Sequence, residues 1–461
     1  MVQTQQLDFT EGSIMKKMLL FSWPIFLGNL LQSSYQIIDS LWVGNLLGAN
    51  ALGAVSLSAT IVFTVLSFII GINGATLTVL SQHKGANDEE GLKKALNAFV
   101  FVLGTLAIGL GVIGYFLAPY ILRWMGAPES IMPLAETYLQ INLLGIILLF
   151  GYNFVGTVLR AMGDSKTPLR FIMLAVVLNA ILTPLFIHVF GFGIQGAAIA
   201  TVMSQGIAFI VGLYISIKKR GIPYSIPSLP PFQEFKRLFR LGLPSGLSMV
   251  AISGGVLAIM IVVTSFGETV VAGYGAAQRI DSLIMLPGLT LGSALQSMAG
   301  QNIGARHWDR VGEIAKSGIL LILIVSTTIS LLVFLMSDWI MAAFVDDVET
   351  IAFGSSYLQW VAFFYPFLGI NFVLNGIVRA AGAMVQVLVL NILSFWVLRF
   401  PLTWLFSEVY GELGIALGIG ISFIISAGFA ALYYRYGKWR EIELFHQEEK
   451  DEAAATTTNK D

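Results

Sequence analysis

No cysteine occurs anywhere in the 461 residues, which excludes disulfides, thiolate metal ligation and thiol nucleophiles. Charge is almost as scarce. Asp, Glu, Lys and Arg together make up 11% of the chain, against about 25% in a soluble domain. Such a chain lacks the polar surface to cover a water-facing particle. Only four histidines are present, His83, His188, His307 and His446, and no two are spaced as metal ligands. No phosphate-binding loop is found: Gly163-Asp164-Ser165-Lys166-Thr167 lacks the glycine before lysine, so ATP hydrolysis is not expected. Clustered acids or histidines of the kind an interfacial enzyme needs are also missing, and an enzyme is not expected.

What abounds is apolar: 56% of residues are hydrophobic, 47 are glycine, and the mean hydropathy is +0.80. Glycine in quantity suits helices that pack closely in lipid. The polar residues 1–18 carry Lys16 and Lys17 and show no small-residue cleavage site. The apolar run that follows is too long for a removable signal, and reads as a first membrane helix. Stretches of roughly 20 apolar residues, each enough to cross a hydrocarbon core, recur along the chain. They fall near 19–43, 54–80, 96–118, 137–158, 169–188 and 195–216, then near 242–266, 271–298, 314–336, 355–378, 384–406 and 413–434. The expected fold is an all-α integral membrane protein of twelve transmembrane helices in two six-helix lobes.

Placing the N-terminus inside gathers Lys16, Lys17, Lys93, Lys94, Arg160, Lys218, Lys219, Arg220, Lys236, Arg237, Arg240, Arg379 and Arg435 on one side. The other side keeps Arg123 alone, beside Glu129, Asp338, Asp346, Asp347, Glu349 and Glu408. This asymmetry predicts cytoplasmic termini and a multi-pass protein of a bacterial or archaeal cell membrane. The expected organisation is an N-terminal lobe over 1–216, a linker over 217–240, a C-terminal lobe over 241–436 and a disordered tail over 437–461. The linker holds Pro223, Pro227, Pro230 and Pro231, and ends in an amphipathic stretch with Phe232, Phe235 and Phe239.

The halves resemble each other at an offset of about 219 residues, a period typical of duplicated transporters. Ser22-Trp23-Pro24 answers to Gly242-Leu243-Pro244, and Gln82-His83-Lys84-Gly85-Ala86 to Gln301-Asn302-Ile303-Gly304-Ala305. Leu159-Arg160-Ala161-Met162-Gly163 answers to Val378-Arg379-Ala380-Ala381-Gly382. Six helices per half bring both copies in from the same side. The repeats are thus expected to be parallel, related by a pseudo-two-fold axis along the membrane normal, with a central cleft.

The first helix carries Asn29, Gln32, Gln36 and Asp39 at spacings of three, four and three, all on one face beside Tyr35. A carboxylate inside a membrane helix costs a few kcal/mol and normally faces protein or a water-filled cavity. Asp39 therefore reads as a proton or cation site whose cavity the amides line. The plainer alternative is an acid at the outer interface, close to the helix end. The second helix shows Thr60, Thr64, Ser67, Gly71, Gly74 and Thr78 on one face, a pattern more typical of a packing seam. Two further charges, Asp281 and Arg399, lie within the eighth and eleventh helices, as a pair or as functional groups. Arg279 is two residues from Asp281 and so lies on a different face. Gly191-Phe192-Gly193-Ile194-Gln195-Gly196 matches a dinucleotide fingerprint by spacing, but sits in a short turn without a preceding strand.

Pro24, Asp39 and Trp42-Val43-Gly44 resemble the first helix of the multidrug and toxic compound extrusion (MATE) family. Gln301-Asn302-Ile303-Gly304-Ala305, the Leu159–Asp164 turn and Leu178-Asn179-Ala180-Ile181-Leu182-Thr183-Pro184 are similar as well, and the likeness covers residues 12 to 436. The resemblance implies two lobes in a V around a central cavity, and an antiporter exporting organic, often cationic, compounds by alternating access. It implies exchange for protons or sodium, with no cofactor, no nucleic acid and no resident metal, and a monomer in the lipid bilayer. It assigns Asp39 and Asn179 to cation or proton coupling, with Thr183 beside them; Asp281, read from its place within the eighth helix, is the second candidate. Gln32, Tyr35, Asn153 and Thr201 fall on positions that line the cavity in relatives; Gln36 joins them from its place on the polar stripe, and Pro24 is expected to kink the first helix because proline removes a backbone hydrogen bond. Thr183 departs from the family, many of whose prokaryotic members have a second acid before this proline, and the C-lobe acids of the sodium-coupled branch are missing. The nearest rival is a lipid-linked or polysaccharide flippase, which needs a cavity charged for phosphate; here only Arg399 and Arg279 are candidates. The stretch around Ala258 and Ile259, which matches Asp39, has no acid, so scaffold is expected to repeat and the ion site is not.

Overall fold

A computed structural model describes residues 6–225 and 227–444. Helices account for nearly all of it, and no strand occurs among the described residues. The first three, α1 (Ile14–Leu47), α2 (Ala49–Gly85) and α3 (Glu89–Trp124), run about nine to thirteen residues past the apolar stretches that predict them. Hydropathy marks only the lipid-facing part of a helix, while its polar ends continue wherever packing holds them. α4 (Met132–Leu144) and α5 (Ile146–Ala161) follow, then α6 (Lys166–Pro184) with a π-helical extension over Leu185–Val189, and α7 (Gly193–Arg220). The second set is α8 (Phe232–Thr264), α9 (Glu268–Gly304), α10 (Trp308–Ala342), α11 (Val348–Ala362) and α12 (Tyr365–Ala380). It ends with α13 (Met384–Ile392), a π-helical stretch Leu393–Arg399, α14 (Phe400–Tyr410) and α15 (Leu413–Tyr436).

Ten helical segments are long and apolar enough to cross a membrane, and two bent pairs bring the count to twelve. The pairs are α4 with α5, bent by 49°, and α11 with α12, bent by 54°. Each was expected as one straight helix. The first breaks at Gly145, where a Cβ would press into Val202. The second breaks ahead of Pro366, which has no N–H to continue the helical ladder. The outer faces of α3 and α10 expose Ile108, Ile113, Phe116, Leu331 and Leu335, the surface a helix presents to lipid. Trp124 and Trp339 stand at the ends of these two helices, where an aromatic belt belongs.

The chain forms two compact units. The first comprises residues 6–8, 16–80 and 88–253 of the described chain, and the second 9–15, 81–87 and 254–444. The border thus falls inside α8, between Ser253 and Gly254. Of the tail expected beyond residue 436, Gly437–Leu444 is described and includes a short 3-10 turn, Lys438–Glu441. There Trp439 is fully buried and donates to the Tyr434 carbonyl at 2.7 Å; the remaining tail lies outside the described residues.

In the first unit Asp164 opens α6, accepting the backbone N–H of Lys166 and Thr167 at 3.1 and 3.0 Å. It also pairs with Arg220 Nε at 2.7 Å. The segment that fails as a phosphate loop is thus a helix cap with a largely buried ion pair. In the second unit the repeat-related glycines Gly85 and Gly304 pack reciprocally: a Cβ on Gly85 would fall on Gln301 backbone, and one on Gly304 on Gln82 backbone. Only glycine permits so close an approach. Gly292 in α9 and Gly376 in α12 meet in the same way.

Candidate functional site

Asp39, late in α1, is buried within the first unit, with 6% of its surface exposed. Tyr138 of α4 donates its hydroxyl to Asp39 Oδ2 at 3.3 Å, whereas Oδ1 has no hydrogen-bond partner. Asn179 and Thr183 of α6 and Thr201 of α7 stand around the same carboxylate. Asn179 and Thr183 have no exposed surface. They lie four apart on one helix and so share a face. Asn179 donates to Thr201 Oγ1 at 3.4 Å, which leaves its own Oδ1 unpartnered, as Thr183 Oγ1 also is. One turn before Asp39, the Tyr35 hydroxyl meets Ser204 Oγ of α7 at 3.3 Å.

Asp39 Oδ1, Asn179 Oδ1 and Thr183 Oγ1 are all buried without a hydrogen-bond partner, and of the three only the Thr183 hydroxyl can donate. An unpaired buried acceptor costs about 1–3 kcal/mol, and more when it is charged. A proton, or a small cation ligated by oxygen, removes that cost; an anion raises it.

The remaining sequence-predicted residues divide. Gln32 joins the edge of the site by accepting from Tyr152 at 3.3 Å. Gln36 is exposed, and Asn153 donates to the Leu149 carbonyl of its own helix at 2.9 Å, so neither takes part in the network. Pro24 is buried within α1, which is helical on both sides of it. Sequence reasoning passed over Tyr138, Tyr152 and Ser204, which supply the hydroxyls.

A family model, MatE, matches this chain twice, over residues 24–185 and 244–405. The chain belongs to the MatE family. It is a multi-pass membrane transporter of that family, and the two matches coincide with the two halves of the internal repeat. It is 56% identical over 438 residues to the probable multidrug resistance protein YpnP of Bacillus subtilis, covering 95% of this chain and 98% of YpnP. It is 31% identical over 451 residues to the probable multidrug resistance protein YoeA of the same organism, covering 94% and 96%. Among solved structures, the Vibrio cholerae MATE transporter VcmN superposes with a TM-score of 0.88 at 25% identity, covering 94% of this chain and 98% of that one.

The second half of this MatE protein holds its own buried acid. Asp281 of α9 accepts from Tyr357 of α11 at 2.8 Å through Oδ2, and from Tyr365 of α12 through Oδ1. Tyr138 and Tyr357 are equivalent under the repeat offset, so each half uses the same tyrosine to hold a carboxylate. The acids differ in origin: α1 supplies it in the first unit, and α9, the second span of its half, in the second. Arg399 lies close enough to act on Asp281 electrostatically, yet no ion pair joins them among the described residues. The pairing open to the sequence is replaced by tyrosine hydroxyls on both carboxylate oxygens. Arg279 is exposed.

Proposed function

We propose that this MatE protein is a secondary active multidrug efflux antiporter of the cell membrane, with cytoplasmic termini. It exports organic, often cationic, compounds in exchange for protons or sodium by alternating access. The observation that carries the reading is Asp39: one buried carboxylate with a tyrosine donor on Oδ2 and no hydrogen-bond partner on Oδ1, beside Asn179 and Thr183. A site with one negative charge holds one monovalent cation at a time. Binding of the coupling ion neutralises Asp39, and its release restores a charge that attracts cationic cargo. Tyr35, Gln32 and Thr201 form the polar margin against which cargo is positioned, and Asn153 and Gln36 stand as outer cavity residues. The name multidrug resistance protein carried by YpnP, over nearly the whole of both chains, supports export as the direction. The flippase alternative is not favoured, because the Asp39 carboxylate repels phosphate.

Dye or fluoroquinolone efflux from cells tests the assignment. With membrane expression matched by immunoblot, Asp39→Asn is expected to lower efflux at least about tenfold, the cost of one lost charge interaction. Wild-type efflux in Asp39→Asn would remove Asp39 from the mechanism. Asp281→Asn is the companion: if it retains efflux while Asp39→Asn does not, coupling belongs to the first half alone.

A further inference from the structure

The two buried acids sit in unlike hydrogen-bonding environments. Around Asp39 the unsatisfied atoms are all oxygens: one carboxylate, one amide and one hydroxyl. Around Asp281 they are donors: Arg399 Nε and Nη2 have no hydrogen-bond partner, although Arg399 is only 5% exposed. Its guanidinium lies 4.0 Å from the ring centre of Phe395 and 4.7 Å from that of Phe423. Cation–π contact of this kind offsets the charge but gives the N–H groups nothing to donate to. The nearest carboxylate offers little, since Tyr357 and Tyr365 occupy both oxygens of Asp281.

We propose that Arg399 is the binding group for one small monovalent anion, of which chloride is the simplest, taken up together with a proton on Asp281. The choice of a small ion follows from the surround. Phe395, Phe423, Tyr274 and Tyr357 are each at most 5% exposed, and a compact ion enters such a buried aromatic surround at less cost than an organic acid. Placement follows from the backbone. Arg399 closes the π-helical stretch Leu393–Arg399, and such stretches aim side chains that a regular helix would turn elsewhere.

The pH dependence follows from the groups that face Arg399. These are Asp281 and Tyr274 from α9, Tyr357 from α11 and, through Asp281, Tyr365 from α12; α15 contributes Phe423 and no titratable group. With Asp281 ionised the cluster is neutral. With Asp281 protonated it carries one positive charge, so anion affinity rises as pH falls. By linkage, the anion favours proton uptake by the same amount. The site does not depend on Asp39 and its test is a binding measurement, so it stands or falls apart from the efflux assignment.

The purified full-length protein in nanodiscs is titrated with sodium chloride against sodium gluconate at fixed ionic strength. Thermal unfolding is followed by intrinsic fluorescence, with Trp396 three residues from Arg399. Chloride, and not gluconate, is expected to raise Tm by about 2 °C or more. The half-saturating concentration is expected to fall roughly tenfold or more from pH 8 to pH 5. Arg399→Gln is expected to lose the chloride response. Asp281→Asn is expected to keep the response and lose its pH dependence. A wild-type protein that responds equally to chloride and gluconate overturns the site, as does a folded Arg399→Gln that still responds. Should Arg399→Gln not fold, the wild-type comparison and the Asp281→Asn pH series decide. An unchanged pH dependence in Asp281→Asn overturns the proton link.

Discussion

Tyr138 and Tyr357 show how residue chemistry survives duplication when the rest of a site does not. Each donates a hydroxyl to a buried carboxylate, at 3.3 Å to Asp39 and at 2.8 Å to Asp281. A hydrogen bond to a charged group contributes about 1.5–3 kcal/mol, and Tyr138 gives Asp39 one. Tyr138→Phe is therefore expected to keep the fold and slow efflux about tenfold, read as initial rate of dye loss at matched expression. Wild-type rates in Tyr138→Phe would mean that Asp39 needs no donor. Asp39 itself was legible in the sequence, because a carboxylate on a polar stripe stands out in an apolar span. So were Asn179, Thr183 and Thr201, through the family resemblance. Tyr138 was not, because a tyrosine in an apolar stretch gives no sign of which helix it faces. Its repeat partner Tyr357 was the available signal: two tyrosines at equivalent positions of a diverged repeat mark a shared task. Gln36 and Asn153 are less direct. Helical spacing suggested Gln36, which is exposed, and the family resemblance suggested Asn153, whose amide donates to the backbone of its own helix.

At the scale of elements, apolar runs located the spans and misjudged their ends and straightness. Helices α2 and α9 are 37 residues each, well beyond the roughly 20 that cross a hydrocarbon core. Their polar ends carry Gln82 and Gln301, which read as loop by hydropathy and are helical because Gly85 and Gly304 let backbones meet there. The bend at Gly145 and the π-helical stretches after Pro184 and before Phe400 left no hydropathy signature, since they change backbone geometry and not composition. Pro366 is a break with a local chemical cause, although its span was expected as one helix. Close glycine contacts also give the sharpest test of packing. A side chain at 376 would meet the Gly292 backbone, which cannot rotate away as a side-chain tip can. Gly376→Val is expected to destabilise the α9–α12 contact by about 1–3 kcal/mol or more and to lower the yield of monodisperse protein in size-exclusion chromatography. A variant with wild-type yield and Tm would show that these helices can separate without cost.

On the scale of the whole molecule, twelve spans and an internal repeat were readable before any coordinates, and the MatE model matches once in each half. Two glycines, two prolines and two arginines at a constant offset suffice to show a duplication, because backbone contacts constrain both copies alike. Chemistry is under no such constraint. The first half leaves buried oxygens without partners near Asp39, the second leaves N–H donors of Arg399 without partners. One scaffold thus carries two unlike polar clusters, and the first is the one proposed for coupling. Transport by the purified full-length protein in liposomes, with a fluorescent organic cation and imposed proton and sodium gradients applied one at a time, tests that assignment most directly. The expected result is substrate movement driven by one of the two gradients in the wild type, and loss of that driven movement in Asp39→Asn. Gradient-driven transport at the wild-type rate in Asp39→Asn would contradict it.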